Sequence, residues 1–401
     1  MCVAGMICEY NPLHLGHTYL MEQVRRQLGS DTALVCCMSG NFVQRGDFAV
    51  MNKHARAESA LRCGADLVVE LPLAWAAASA ETFARGGVQL LCDTGIVTHL
   101  AFGSECGCIE ELSAAADVLL APDFQSLLQE KLSAGVSYPV ARRRAAEERM
   151  GRMAALLDEP NNILGIEYLK ALKLENSSVI PVTVRRCGTG HDAREAAETA
   201  SSSYLRETLR HGGQPESAYM PPAALEILRR EMQAGRAPVF SDTCQRAILA
   251  RLRSMKEEDF AAYDGGGEGL YHRFYQLSRR AVSLDELLAD VKTKRYPYAA
   301  LRRMLLRIYL QTDGREIPSR PPYLRLLGTN ARGRELLRRM KDTAKIPVLT
   351  KPADVRLLSE QARRVFACEA RATDLYTLAY PDLRQSAGES EWTTNPMIVE
   401  E

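Results

Sequence analysis

Residues 2–17 read CVAGMICEYNPLHLGH, and the way this stretch divides decides the fold. Cys2–Cys8 is an unbroken apolar run of strand length, the pattern of a strand buried on both faces. Pro12 and Gly16 mark a turn, and a helical pattern opens near Leu15. Strand, turn and helix in that order make the first half of a βαβ unit, with two histidines at its bend.

The alternation continues outward through the first two hundred residues. Strands are expected at Cys2–Cys8, Ala33–Met38, Asp66–Leu71, Leu100–Phe102 and Val179–Arg185. Helical patterns near 15–27, 53–63, 78–92 and 108–120 separate them, which predicts a parallel sheet. A helical insert of about 123–175 precedes the last strand, and its ARRRAAEER segment reads as a solvated helix face. After about residue 212 the Gly/Pro-rich HGGQPESAYMPP breaks the pattern. Beyond it, 222–233, 242–254, 268–281, 283–291 and 297–311 read as helices, YDGGGEG as a loop, and no alternating strand is evident. The expected organisation is a Rossmann-like α/β domain over 1–212, followed by a mostly α-helical domain over 213–401.

Composition excludes several classes of protein. Hydrophobic content of 46% and charged content of 25% over 401 residues suit a globular chain with a real core. The formal net charge of +1 gives no global sign of a polyanionic partner. Eleven cysteines lie in apolar contexts without disulfide or zinc spacing, the start lacks a signal-peptide pattern, and no apolar run spans a bilayer. A reduced, cytoplasmic protein without a membrane segment or a bound metal is expected. There is no GxxxxGK[ST] and no GxGxxG after a strand, so those nucleotide modes have no support.

In an open parallel sheet, ligands bind beyond the carboxyl ends of the strands. The bend falls there. His14 and His17 lie close to one face of the new helix, and Gly16 lets a base or ribose approach the backbone. The helix start offers free N–H groups and a positive dipole to phosphate. The histidines add hydrogen bonds, or charge if protonated, to a displacement at phosphorus. The alternative is that both merely cap and pack a turn.

Other stretches end at the same edge of the sheet. MSGNFVQRGDFAVMNKHARAESAL follows the second strand and places Gly40, Asn41, Gln44 and Arg45 in a crevice loop, or in a plain cap, with Arg56 pairing Glu58 or a neighbour. Gly103 in LAFGSE admits a ligand against the backbone or makes a tight turn. In EPNNILGIEYLKAL, Asn161 reads as an N-cap, leaving Asn162 for a ligand. Arg185 and Arg186 end the last strand, one pointing each way. Ser201, Ser202 and Arg206 open a Ser-rich helix, suited to phosphate or simply to capping.

Taken with GADLVVELP and the distant VKTKRYPYAALRRMLL, these motifs resemble those of the bacterial tRNA(Met) cytidine acetate ligases, and the HLGH sequence is similar to the HxGH signature of nucleotidyltransferases. The resemblance covers most of the chain. It implies a Rossmann-like fold of the HUP/nucleotidyltransferase kind and an ATP-dependent, RNA-modifying ligase. Such an enzyme activates acetate as acetyl-adenylate and acetylates the exocyclic amine of the wobble cytidine of elongator tRNA(Met), giving N4-acetylcytidine. A carbon–nitrogen bond forms, and AMP and pyrophosphate are released. It also implies catalytic roles for His14 and His17, and ATP contacts from Ile7, Glu9, Tyr10, Asn11, Pro12, His14, Gly16, His17, Gly103, Asn162, Arg185 and Arg186. Mg²⁺ would arrive with ATP.

Residues 280–350 hold 16 Lys/Arg against 7 Asp/Glu, a surplus of nine in a chain of net +1. Lys292, Lys294, Arg295, Tyr296, Arg302 and Arg303, basic groups with an aromatic among them, are expected to meet tRNA phosphates and unstacked bases. A small-molecule nucleotidyltransferase, or a non-catalytic nucleotide- and RNA-binding protein, are the other readings. Oligomeric state and the acetate pocket leave no signature.

Overall fold

The computed structural model of the chain describes residues 1–186, 201–264, 269–313 and 318–400. In its first part, strands β1 (Val3–Cys8), β2 (Ala33–Ser39), β3 (Phe42–Val43), β4 (Asp47–Phe48), β5 (Leu67–Leu71), β6 (His99–Ser104) and β7 (Ile180–Arg185) alternate with eight helices. These are α1 (Leu15–Leu28), α2 (Lys53–Arg62), α3 (Leu73–Ala76), α4 (Ala80–Asp93), α5 (Ile109–Leu120), α6 (Pro122–Ser133), α7 (Tyr138–Met150) and α8 (Pro160–Leu174). Then come α9 (Ser202–Arg210), α10 (Pro222–Gln233), α11 (Gln245–Ser254), α12 (Glu257–Phe260), α13 (Leu270–Ser278), α14 (Leu284–Val291) and α15 (Tyr298–Leu310). The chain ends with β8 (Leu324–Thr329), α16 (Ala331–Thr343), β9 (Val348–Leu349), α17 (Glu360–Thr377), α18 (Ser390–Thr393) and β10 (Met397–Ile398). Most of the YDGGGEG loop lies outside the described residues.

The main sheet runs β10-β8-β5-β2-β1-β6-β7, with β9 on β8, while β3 and β4 form a separate hairpin. Its pairings are parallel except β5 with β8. Chain order reverses at β1, with β2 on one side and β6 on the other. The bend that follows β1 therefore sits at the switch point of the sheet, where crevices open.

Side chains alternate across β2. Ala33, Val35 and Cys37 join one apolar cluster, and Leu34, Cys36 and Met38 the other. That two-sided burial is why the strands read as unbroken apolar runs. A third cluster gathers the β3–β4 hairpin (Phe42, Phe48), α11, α13, α14, α15 and part of α17.

The strand β8 lies where the sequence pattern suggests only helices. Every residue of LRLLGT is buried, so no alternation marks it. Its charged member, Arg325, sits in an internal network that explains the placement. Lys53 Nζ donates to Glu70 Oε1 at 2.7 Å and to Glu391, Arg325 also bonds Glu391, and Thr373 Oγ1 donates to Glu391 Oε2 at 3.0 Å. Side chains of Lys53, Glu70 and Glu391 are each about 1% exposed. Among the described residues no helix is long and apolar enough to cross a membrane, and the ten described cysteines are free thiols.

Candidate active site

His14 is the N-cap of α1, and its Nδ1 accepts the Gly16 N–H at 3.0 Å. His17, at the third helical position, accepts the His14 N–H on its own Nδ1 at 3.1 Å. The rings lie 3.8 Å apart between centroids, and Tyr10 packs edge-on against His17. A ring nitrogen that accepts carries no proton, so both imidazoles hold theirs on Nε2. Burial, then the charge of Arg186, pushes His14 down to about 4. Burial, then His14 and Arg186, lowers His17 further. At neutral pH the pair is two uncharged Nε2–H donors rather than two cations.

The expected free N–H groups at the start of α1 are not there. Leu15 N–H donates to the Tyr219 carbonyl at 3.0 Å, Gly16 N–H to His14, and His17 N–H to the His14 carbonyl at 2.9 Å. Donation to an anion here falls to the ring Nε2–H groups and to Arg186. Gly16 also has a local reason to lack a side chain, since a Cβ would stand 2.9 Å from His14 Cε1.

Arg186 follows β7, its N–H donating to the Ser104 carbonyl at 2.9 Å, and its side chain lies along Gly103. Arg185 is exposed on the other side, against Gly107. Ile7 turns into the core against Gly87. Glu9 Oε1 accepts the Gln44 N–H at 2.6 Å, and burial raises its carboxyl above the usual range despite that bond and Arg56. Asn11 Oδ1 accepts the Val50 N–H at 2.8 Å.

The Ser-rich helix start meets this bend. Ser201 caps α9 by accepting the Tyr204 N–H, Ser202 Oγ donates to the Pro12 carbonyl at 3.2 Å, and Arg206 donates to the Asn11 carbonyl at 2.9 Å. Residues nearly two hundred positions apart thus close on one turn.

Other residues sit differently from their expected roles. Asn41 is buried, donating to Thr373 Oγ1 at 3.1 Å and accepting the Lys53 N–H at 2.8 Å, and Gly40 faces Glu70. Gln44 bonds Glu9 and, through Nε2, the Ala78 carbonyl at 3.1 Å; Arg45 is exposed. Asn162 Oδ1 accepts the N–H groups of Glu105 and Cys106 at 3.0 and 3.1 Å. The cap of α8 comes from outside the helix rather than from Asn161. Glu105 accepts the Asn161 and Asn162 N–H groups at 3.2 and 2.7 Å, a carboxylate at the positive end of the dipole.

Arg56 does not pair with Glu58, which Arg230 holds in a two-pronged bridge at 2.9 and 2.7 Å. It is fully buried and donates to the carbonyls of Glu9, Ser39, Gly40 and Met51, clamping the ends of β1 and β2. Nothing in NKHARAES separates this arginine from a surface one. Its only signal is its place just after the β2 loop.

Of the basic residues expected to face RNA, Lys294 and Arg295 are exposed between α14 and α15, and Lys292 lies over the Tyr298 ring at 5.7 Å. Tyr296 is half-buried against the third apolar cluster. Arg302 is exposed, 4.0 Å from Asp47, and Arg303 reaches the Gln44 carbonyl at 3.4 Å. Gly46, at φ +77°, is pressed on this helix, where a Cβ would stand 2.5 Å from Arg303 N. The basic surplus is not one face: Arg325 is internal, and Arg320 bridges Asp93 and Glu175. Among the described residues no three His, Cys, Asp or Glu side chains cluster to hold a metal.

A switch-point crevice with capped, neutral histidines and an arginine beside them defines a nucleotidyltransferase of the HxGH kind. Residues 1–391 match the family model described as HIGH Nucleotidyl Transferase. Relatives described as tRNA(Met) cytidine acetate ligase include one from Acetivibrio thermocellus, 36% identical over 416 residues with all of both chains covered. Another, from Caldanaerobacter subterraneus, is 38% identical over 386 residues, covering 94% of this chain and 95% of its own. The crystal structure of Thermotoga maritima TmcAL bound with alpha-thio ATP superposes with a TM-score of 0.93 at 32% identity, covering all of both chains. The chain belongs to the tRNA(Met) cytidine acetate ligase family.

Proposed function

We propose that this protein activates acetate with ATP and transfers the acetyl group to the wobble cytidine of elongator tRNA(Met). The observation that carries the chemistry is the pair of neutral imidazoles, each pinned through Nδ1, with Arg186 beside them. An acetate oxygen attacks the α-phosphorus, the bond to the β-phosphate oxygen breaks, and pyrophosphate leaves. Negative charge grows on the phosphoryl oxygens during that displacement. The Nε2–H groups and Arg186 meet it without reorganising, and one such donor is worth roughly 10²–10³ in rate. The start of α9, with Ser202 and Arg206 against the bend, is the place for the departing pyrophosphate. Mg²⁺ would come with the triphosphate, whose oxygens are its usual ligands.

In the second step the cytidine amine attacks the acetyl carbonyl and AMP leaves. Adenylation has already provided the leaving group, so positioning and exclusion of water suffice and no cysteine nucleophile is required. The exposed Lys294 and Arg295 supply phosphate contacts for the RNA.

The test is mass spectrometry of nucleosides from elongator tRNA(Met) incubated with the protein, ATP and isotopically labelled acetate. Labelled N4-acetylcytidine is the expected product. Pyrophosphate release that depends on some other carboxylate, with no labelled nucleoside, would discard the tRNA reading.

A further inference from the structure

The other large cavity of the molecule is away from the histidines. It encloses about 760 Å³ between α3, the end of α15 and α17, within the roughly 300–1,000 Å³ of pockets that enclose small ligands. One wall is apolar, from Leu73, Ala77, Leu306 and Leu310. The other carries Arg303, Arg307 and Arg371.

The bonding of these arginines is unusual. Arg303 donates to the Gln44 carbonyl, Arg307 to that of Tyr263, and Arg371 to those of Leu310 and Gln311 and to Cys368 Sγ. None of these partners is a carboxylate. Asp264 acts on Arg307 through space, and Asp313 and Glu369 also line the cavity. Glu369 accepts the Leu73 N–H, and burial with the charge of Glu70 pushes it up to about 8, so it leaves the arginines largely uncompensated. Burial and Arg307 push Arg303 down to about 10, the mark of a cation short of a counter-charge. Guanidinium forks match phosphate oxygens, and an apolar wall accepts the face of any base.

Position narrows the ligand. The cavity opens at the carboxyl end of β5, which α3 directly follows, and Ala78 lines it. Gln44 joins it to the bend: its Nε2 donates to the Ala78 carbonyl, and its N–H donates to Glu9. A single side chain separates the two sites.

We propose that this cavity receives one unstacked nucleotide, its phosphate on Arg303, Arg307 and Arg371 and its base on the apolar wall. The nucleotide belongs to the same RNA loop as the base being modified. This rests on the RNA part of the proposed function; a free nucleotide carries the same chemistry, and the experiment separates the two sources.

An anticodon stem-loop of elongator tRNA(Met), carrying 2-aminopurine at one loop position beside the wobble base at a time, is titrated into the full-length protein. Free CMP and AMP are titrated in parallel. With wild type, fluorescence at one position rises on binding as that base leaves its stack. Arg371→Ala weakens the stem-loop by about tenfold or more, the size of a lost charge-assisted bond. Ala367→Trp, on the exposed flank of α17 at the same cavity, abolishes the rise, while acetate-dependent ATP–pyrophosphate exchange persists and certifies the fold. Unchanged affinity and fluorescence in both variants would overturn the proposal. Loss of CMP or AMP binding with stem-loop affinity intact would overturn the RNA source. Failure of wild type to exchange pyrophosphate with acetate would defeat the proposed reaction, and the RNA titration would still read the cavity.

Discussion

Replacing Gly16 by alanine tests whether the bend works through the orientation of His14. The added Cβ would stand 2.9 Å from His14 Cε1 and 3.1 Å from Nδ1, where ordinary contact begins at 3.4 Å. The ring must retreat by at least 0.5 Å (3.4 − 2.9) and loosen its 3.0 Å bond from Gly16 N–H. Losing a cap costs about 0.5–2 kcal/mol, and alanine in place of glycine in a helix returns up to about 1 kcal/mol, so Tm should barely move. Catalysis should respond more strongly, because a misplacement of about 1 Å costs about 10²-fold. The expected result is a fall in kcat for ATP–pyrophosphate exchange of roughly 10- to 100-fold, with KM for ATP nearly constant. If alanine instead blocked the nucleotide directly, KM would rise. The double variant His14→Ala/Gly16→Ala discriminates further, since without the ring there is nothing to displace, and it should be no slower than His14→Ala. A Gly16→Ala enzyme within threefold of wild type, or losses that multiply in the double variant, would refute the reasoning.

The His14 imidazole should titrate by NMR near pH 4 rather than 6.5. Between those values the unfolded chain takes up a proton that the native state refuses. Stability then falls as pH drops through that window, by at most about 3 kcal/mol, with no contribution above it; a midpoint near 6.5 would contradict this. Lys53→Met strips Glu70 and Glu391 of their buried partner, and urea unfolding should show a loss of about 3–5 kcal/mol; less than 1 kcal/mol would mean the network matters little. Lys294→Glu with Arg295→Glu should weaken tRNA binding, most at low salt, and flatten its salt dependence by about one unit of slope, sparing pyrophosphate exchange. An unchanged salt slope would remove these two residues from the interface.

The first half of the fold was legible because its physics is local. A strand buried on both faces leaves an apolar run, and the expected strands from Cys2–Cys8 to Val179–Arg185 differ from the observed ones mainly at their ends. The strand β8 was not legible, because its partner β5 lies some 250 residues back and its arginine is neutralised from α18. At the site, types and neighbourhoods were readable, but the use of individual atoms was not. No spacing rule says that Glu105 would cap α8, or that the first three N–H groups of α1 would all be taken. Those outcomes depend on groups delivered from other elements.

The antiparallel seat of β8 on β5 also sets a timetable for synthesis. From Leu71 to Leu324 is 253 residues (324 − 71), on the order of 10–50 s of translation at the usual rates. Throughout that interval β5 leaves the ribosome with one side unpaired, an apolar edge of the kind that recruits other chains. Nascent chains of this family are therefore natural clients for chaperones that shield sheet edges. A ribosome stalled in the helical middle of the message would release a product prone to aggregate, not a smaller working enzyme.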